Sequence, residues 1–202
     1  MYSIDSIDPR TGRPKIILDL CGGTGSWSRP YSEAGYDVRL ITLPDNDVCL
    51  YAPPPDVYGI LAATPCENFS MAKRFRGRGN YNYDFRAGLE VCSACCRVIL
   101  FSKPVFWCIE NPDTSLLKKW IGKPNYVFEP WEFGENYQKK TALWGQFNPP
   151  GKTVFEKPEG LKKFSLLKTQ EIYPEFYGTY TRQERRAITP PKFAKAFFEA
   201  NQ

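Results

Sequence analysis

Hydrophobic positions along this chain fall into short apolar runs separated by amphipathic stretches. Lys15–Leu20 (KIILDL) is apolar and β-branched, as expected of a strand buried on both faces, and Gly22, Gly23 and Gly25 end it sharply. Ser28–Gly35 follows as a candidate helix. Tyr36–Leu43 (YDVRLITL) predicts a second strand, broken at Pro44–Asp47. Asp56–Thr64 (DVYGILAAT) predicts a third, ending at Pro65-Cys66. Arg86–Phe101 suits a helix, Pro104–Asn111 a fourth strand and Ser115–Ile121 a short helix. Thr141–Phe147 reads as a late strand, and Pro191–Ala200 as a terminal helix with proline in its first turn. Alternating strand and helix signals predict an α/β protein with a doubly wound, mostly parallel sheet. Its 202 residues fit one domain. Phe147–Thr181 is rich in Pro, Gly and Lys without periodicity, so residues 147–186 are expected to form a small insert or a long functional loop.

Composition narrows the chemistry. Lys and Arg number 27 against 22 Asp and Glu, a net charge of +5 that leans mildly towards polyanions. The chain has no His, which removes His-based triads and zinc sites that need His. Met1–Pro14 lacks an apolar core, and no run of about 18 apolar residues occurs, so neither a targeting segment nor a membrane span is expected. The 7 cysteines are then read as reduced thiols in a cytoplasmic setting. Cys92, Cys95 and Cys96 fall in the apolar stretch RAGLEVCSACCRVILF. They are expected to be small core residues of a buried helix, with no metal site.

Three places carry chemistry. Asp19–Ser28 (DLCGGTGSWS) sits where the first strand meets the first helix, and its glycines let the backbone approach a ligand closely. The dinucleotide pattern GxGxxG and a phosphate-binding Lys-Ser/Thr are both missing. A glycine turn without phosphate equipment, beside Asp19, favours a positively charged ligand such as S-adenosylmethionine. Pro65-Cys66 ends a probable central strand, at the sheet edge where open α/β proteins bind ligands. Proline stiffens the turn, and a thiol there becomes a nucleophile as thiolate. Phe106–Asp113 (FWCIENPD) delivers Glu110 to the same edge, where desolvation favours a protonated acid able to donate to a ring nitrogen.

The ordered segments DLCGGTGSWSRPYSEAGYDV, TPCENFS, IENP, YQKKT and ITPPKFAKAF resemble the cytosine-5 DNA methyltransferases, most of all the short forms carried by bacteriophages. The resemblance runs from about Ile16 to Phe198. It implies a Rossmann-like S-adenosylmethionine-dependent methyltransferase with a reduced or absent target-recognition domain, acting in a bacterial or phage-infected cytoplasm. It implies that Cys66 attacks carbon 6 of cytosine and that Glu110 stabilises charge at ring nitrogen 3. The base would be flipped out of the duplex. For the cofactor it implies Asp19, Leu20, Cys21, Gly22, Gly23, Thr24, Gly25, Ser26 and Trp27, then Thr42, Leu43, Asp47 and Val48, with Pro65 and Thr189. The family's Gln-x-Arg-x-Arg becomes Gln138-Lys139-Lys140-Thr141-Ala142, so Gln138 and Lys140 are the catalytic candidates there, Lys140 as a point charge without the planar fork of Arg. Asn68, Lys73, Arg74, Arg76, Arg78, Arg185 and Arg186 are candidate DNA contacts.

The family normally inserts a sizeable recognition domain before its last motif, whereas Phe147–Arg186 is the space available here. A compact recognition element, relaxed sequence preference and a separate specificity partner all stay open. DNA is the expected substrate, with no metal and no membrane involved. RNA cytosine-5 methylation is a second reading. A decayed methyltransferase that binds S-adenosylmethionine or DNA without turnover is a third. Amino-methylating enzymes are disfavoured, because Ala52-Pro53-Pro54-Pro55 lacks the aromatic residue that stacks a flipped base.

Overall fold

The computed structural model describes residues 4–69, 84–176 and 178–202. Two short antiparallel strands open the chain, β1 (Ile7–Asp8) and β2 (Arg13–Pro14). The Arg10 guanidinium donates to the buried Asp8 carboxylate and closes the turn between them. The main sheet begins with β3 (Ile16–Leu20), followed by α1 (Arg29–Glu33) and β4 (Asp37–Ile41). Next come β5 (Val57–Ala63), α2 (Phe85–Ser102) and β6 (Phe106–Pro112). β7 (Tyr126–Phe128), β8 (Tyr137–Gln138), β9 (Thr141–Gln146) and β10 (Lys162–Lys163) precede two terminal helices, α3 (Arg182–Ala187) and α4 (Pro191–Ala200).

Six strands form one sheet in the order β4-β3-β5-β6-β9-β7. The first four are parallel, and β9 runs antiparallel to both neighbours. From β3 the chain steps outward to β4, then returns across β3 to β5. The winding direction therefore reverses between β3 and β5, the point at which an open α/β sheet leaves a crevice at its carboxyl edge. The topology is a Rossmann-like α/β fold, as the sequence predicted.

Strand alternation builds a three-layer core. Leu18, Leu20, Ile60, Ala62 and Ile109 face α2, against Cys92, Cys95, Val98 and Ile99. Ile17, Leu61, Cys108 and Leu143 point the other way, against Tyr31 of α1 and Phe193 and Phe197 of α4. Phe128 and Phe193 stack with ring centres 4.0 Å apart. α2 starts at Asp84, whose side chain accepts the Ala87 N–H, and stops at left-handed Lys103. A third, smaller core joins Tyr137, Phe164, Ile172, Tyr173 and Ile188. It binds residues of the 147–186 stretch to β8, with the Tyr137 and Tyr173 hydroxyls 2.5 Å apart.

The predicted elements over 15–20, 56–64, 86–101, 104–111, 141–147 and 191–200 all exist, shifted by one or two residues at their ends. The helix expected over 28–35 is shorter, and 115–121 contains a 3-10 turn at Leu116–Lys119. Strands β1, β2, β7, β8 and β10 were not anticipated. Each has two or three residues, too few to show alternation. Helix α3 was missed although Thr181 and Glu184 form a capping box, a legible start signal. Among the described residues no helix is long and apolar enough to cross a membrane. Nor do three or more His, Cys, Asp or Glu side chains gather there in a way that could hold a metal.

Candidate active site at the carboxyl edge of the sheet

The turn after β3 is shaped from beneath by Asp19. This carboxyl is fully buried and accepts the Ser28 hydroxyl at 2.6 Å, while its Oδ1 has no hydrogen-bond partner. A Cβ at Gly22 would overlap that carboxyl group, so only glycine passes over it. Cys21 (φ 57) and Gly25 (φ 67) are left-handed, which folds the backbone back tightly. The Cys21 N–H donates to the Ile41 carbonyl at 2.8 Å, joining the turn to the tip of β4. Above Gly23 the space is open: a Cβ there would meet nothing within 4 Å. Burial pushes the Asp19 carboxyl from 3.8 up to about 6, partly offset by the Ser28 hydrogen bond.

The second wall is the tip of β5. Pro65 leads into a single 3-10 turn at Cys66–Asn68, followed by buried Phe69. Phe69 anchors the turn: its N–H donates to the Cys66 carbonyl at 3.0 Å, and its own carbonyl accepts the Leu116 N–H at 2.9 Å. Strands β5 and β6 pair in parallel with Ala63 opposite Glu110. Buried Asn111 then clamps the two tips, its Nδ2 donating to the Thr64 carbonyl at 2.8 Å and the Thr64 hydroxyl at 3.1 Å. Register and clamp together bring Cys66 and Glu110 to one edge, beside the β3 turn.

Their electrostatics follow from that proximity. Cys66 reaches the surface but is closely surrounded by protein. Desolvation, and then the negative charge of Glu110, hold its thiol above the ordinary value, while Lys139 pulls the other way. Burial likewise raises the Glu110 carboxyl, again opposed by Lys139. A raised carboxyl beside a thiol gives one group that can donate a proton and one that can attack carbon.

Other candidates from the sequence lie along the glycine turn and after the strand tips. Ser26 Oγ accepts the Thr189 N–H at 2.8 Å, so the closing Thr189-Pro190 segment lies against the glycine turn. Thr24 is half-buried with its Oγ1 unpartnered. Thr42 and the exposed Leu43 follow β4, and the Asp47 carboxylate caps its own turn by accepting the Cys49 N–H at 2.9 Å. Pro65 is exposed, and Asn68 packs against Gly88 of α2.

Others need correction. Trp27 is 1% exposed and packs against Phe193 and Phe197, so its ring belongs to the core rather than to a cofactor. The side chains of Leu20 and Val48 are likewise buried under α2. Arg185 is 2% exposed and donates to the Ile172 carbonyl at 2.8 Å, inside the small third core, where DNA phosphates cannot reach it. Arg186 is half-buried, with its guanidinium over the Phe164 ring. Gln138 donates to the Leu161 carbonyl at 2.7 Å, turned towards β10. Lys140 pairs with Asp113 at 3.2 Å. Among the described residues, it is the Lys139 charge that opposes the upward shift of Cys66 and Glu110. Lys73, Arg74, Arg76 and Arg78 lie outside the described residues. Ser28, Thr64, Asn111 and Lys139 were missed. Asn111 stood directly after Glu110 in the quoted segment, but its clamp depends on a strand pairing invisible in sequence.

No family model matches the chain. A curated protein of Frog virus 3 (isolate Goorha), named "Probable DNA (cytosine-5)-methyltransferase", is 27% identical over 147 residues, 63% of this chain and 69% of that protein. The chain is thus similar to a protein that carries the name of the family its sequence resembles. The resemblance to the cytosine-5 DNA methyltransferases is supported by this comparison. Among solved structures, an E. coli chain assigned as a prophage-encoded DNA modification methyltransferase gives a TM-score of 0.48 at 15% identity. That similarity covers 65% of this chain and 46% of the other, so the chain spans less than half of it.

Proposed function

We propose that this chain methylates carbon 5 of cytosine in DNA, using S-adenosylmethionine and a covalent bond to Cys66. The observation that carries the reading is the meeting of Cys66 and Glu110 on paired strand tips beside the glycine turn. The turn also fits the cofactor. Gly23 leaves open space, and two buried oxygens, Asp19 Oδ1 and Thr24 Oγ1, lack partners. Asp19 to Ser26, with Thr189 closing over Ser26, would hold the cofactor, which supplies the methyl group when bound.

The residues divide the work. Cys66 Sγ, as thiolate, forms a bond to carbon 6 of an everted cytosine. Glu110, whose burial favours the protonated form, donates to ring nitrogen 3, so the electron pair of the 5,6 double bond gathers at carbon 5. Carbon 5 takes the methyl group, loses its proton to a base, and the returning electron pair expels the Cys66 thiolate. The small core of Tyr137, Phe164 and Tyr173 falls in the stretch where a compact recognition element would lie, and its size supports a reading with a separate specificity partner. A Cys66→Ser variant is expected to lose methyl transfer to cytosine-containing DNA, measured with labelled cofactor. Transfer at the wild-type rate would refute the covalent role, and transfer to RNA in preference to DNA would favour the RNA reading.

A further inference from the structure

β9 runs antiparallel to β6 with Thr141 opposite Pro112 and Leu143 opposite Glu110, so β9 starts at the carboxyl edge of the sheet. Lys139 and Lys140 immediately precede that start. The Asp113 N–H donates to the Lys140 carbonyl at 3.0 Å, and the exposed Lys140 ammonium pairs with the Asp113 carboxylate at 3.2 Å. Exposed Lys118 reaches the same corner, its ammonium donating to the Asp113 carbonyl at 3.2 Å. On the other side, β8 pairs in parallel with β10, which sets Lys162 opposite Tyr137 and Lys163 opposite Gln138. Both lysines are exposed. Half-buried Lys139 joins the two ends: its ammonium donates to the Arg186 carbonyl at 3.4 Å and lies 5.2 Å from the ring centre of Phe164, the residue after Lys163. Lys118, Lys140, Lys139, Lys163 and Lys162 therefore form one row beside Glu110. The acids along it are Asp113, Glu129, which accepts the Lys139 N–H at 2.8 Å, and Glu171, which pairs with Lys162 at 2.6 Å. Lys139 and Lys163 pair with no carboxylate among the described residues.

We propose that this row is a phosphate track: it holds the backbone of a DNA strand along the β9 side of the catalytic edge, next to the everted cytosine. The row is a surplus of positive charge at the rim of the Cys66–Glu110 edge, which suits a polyanion. Exposed ion pairs such as Lys140–Asp113 and Lys162–Glu171 are weak, so a phosphate exchanges readily for either carboxylate. A lysine ammonium is a point charge that reads no base edge, so the track positions the strand without selecting its sequence. Arg186 contributes from beneath, through its carbonyl on Lys139 and its guanidinium 5.1 Å from the Phe164 ring centre. The small third core thereby gains a task suited to its size. It fixes the backbone beside the catalytic edge and leaves the choice of sequence to other contacts.

Anisotropy of a fluorescein-labelled, cytosine-containing DNA duplex, titrated between about 50 and 200 mM salt, tests the track. Each phosphate contact contributes about 0.9 to the slope of log Kd against log salt. Lys140→Gln and Lys163→Gln should each lower that slope by about 0.9, and the double variant by about 1.8. Lys163→Arg should keep it. Lys103→Gln, just before β6 on the opposite edge of the sheet, should leave it unchanged. Thermal unfolding checks that each variant folds; if Lys140→Gln does not, Lys118→Gln carries the same expectation. An unaltered slope in the double variant, or an equal loss in Lys103→Gln, would overturn the track. Tighter binding to RNA of the same sequence would also overturn it, by giving the row to an RNA backbone. The place beside an everted base rests on the cytosine-5 reading, and the two fail separately. Wild-type protein that binds DNA with these slopes but transfers no methyl group overturns that reading and keeps the track. Methyl transfer to cytosine with slopes that ignore the lysine variants overturns the track alone.

Discussion

Asp19 places an ionisable group under the glycine turn at a cost to stability. It is fully buried, with one oxygen satisfied by Ser28 and the other unpartnered. Burial lifts its carboxyl from 3.8 to about 6. In the unfolded chain Asp19 ionises near pH 4, while in the folded protein it stays protonated until about pH 6. Stability is therefore highest below pH 4, as far as this group is concerned, and is lost as pH rises through 6. At about 1.4 kcal/mol per pH unit, the loss is about 3 kcal/mol. Asp19→Asn removes the ionisation while keeping an oxygen for the Ser28 hydroxyl. The variant pays a pH-independent penalty for its buried amide N–H groups. Its stability relative to wild type should nonetheless rise by about 2.4 kcal/mol between pH 4 and pH 7, the rest of the change lying below pH 4. For a chain of this length that is about 5–10 °C in Tm. Urea unfolding of both proteins at pH 4, 5, 6 and 7 measures the difference. Parallel stability curves would refute the picture of a buried, poorly compensated carboxyl. The same variant should bind S-adenosylmethionine more weakly by calorimetry, since the turn loses its negative charge.

Gly22→Ala should abolish cofactor binding and lower stability, because the new methyl collides with the Asp19 carboxyl; calorimetry and thermal unfolding check both, and a well-folded variant with wild-type affinity would contradict the packing. Asn111→Ala removes two buried hydrogen bonds to Thr64 and should cost about 1–3 kcal/mol, read by urea unfolding. It should also lower kcat by uncoupling the Cys66 and Glu110 tips, and wild-type turnover would show that the clamp does not position them.

Much of this architecture was written in local pattern. β3, β5, β6 and α2 are strongly apolar and long enough for periodicity to show, so their places and the parallel sheet could be read directly. The glycine turn, Pro65-Cys66 and Glu110 were legible because turn chemistry and strand ends mark them. What escaped depends on pairing between distant segments. Thr64 meets Asn111 only because β5 and β6 align. Lys140 meets Asp113 only because β6 and β9 align. Arg185 reads as a surface cation until the third core closes around it. Trp27, beside the glycines, read as a ligand contact until α4 covered it.

The central claim, a covalent bond from Cys66 to a cytosine ring, is tested most directly with DNA carrying 5-fluorocytosine. Fluorine at carbon 5 cannot leave as a cation, so in the presence of S-adenosylmethionine the enzyme should be trapped as a stable adduct. Mass spectrometry should locate that adduct on the peptide containing Cys66, and Cys66→Ser should form none. DNA methylation that proceeds with no adduct, or an adduct on another cysteine, would contradict the account.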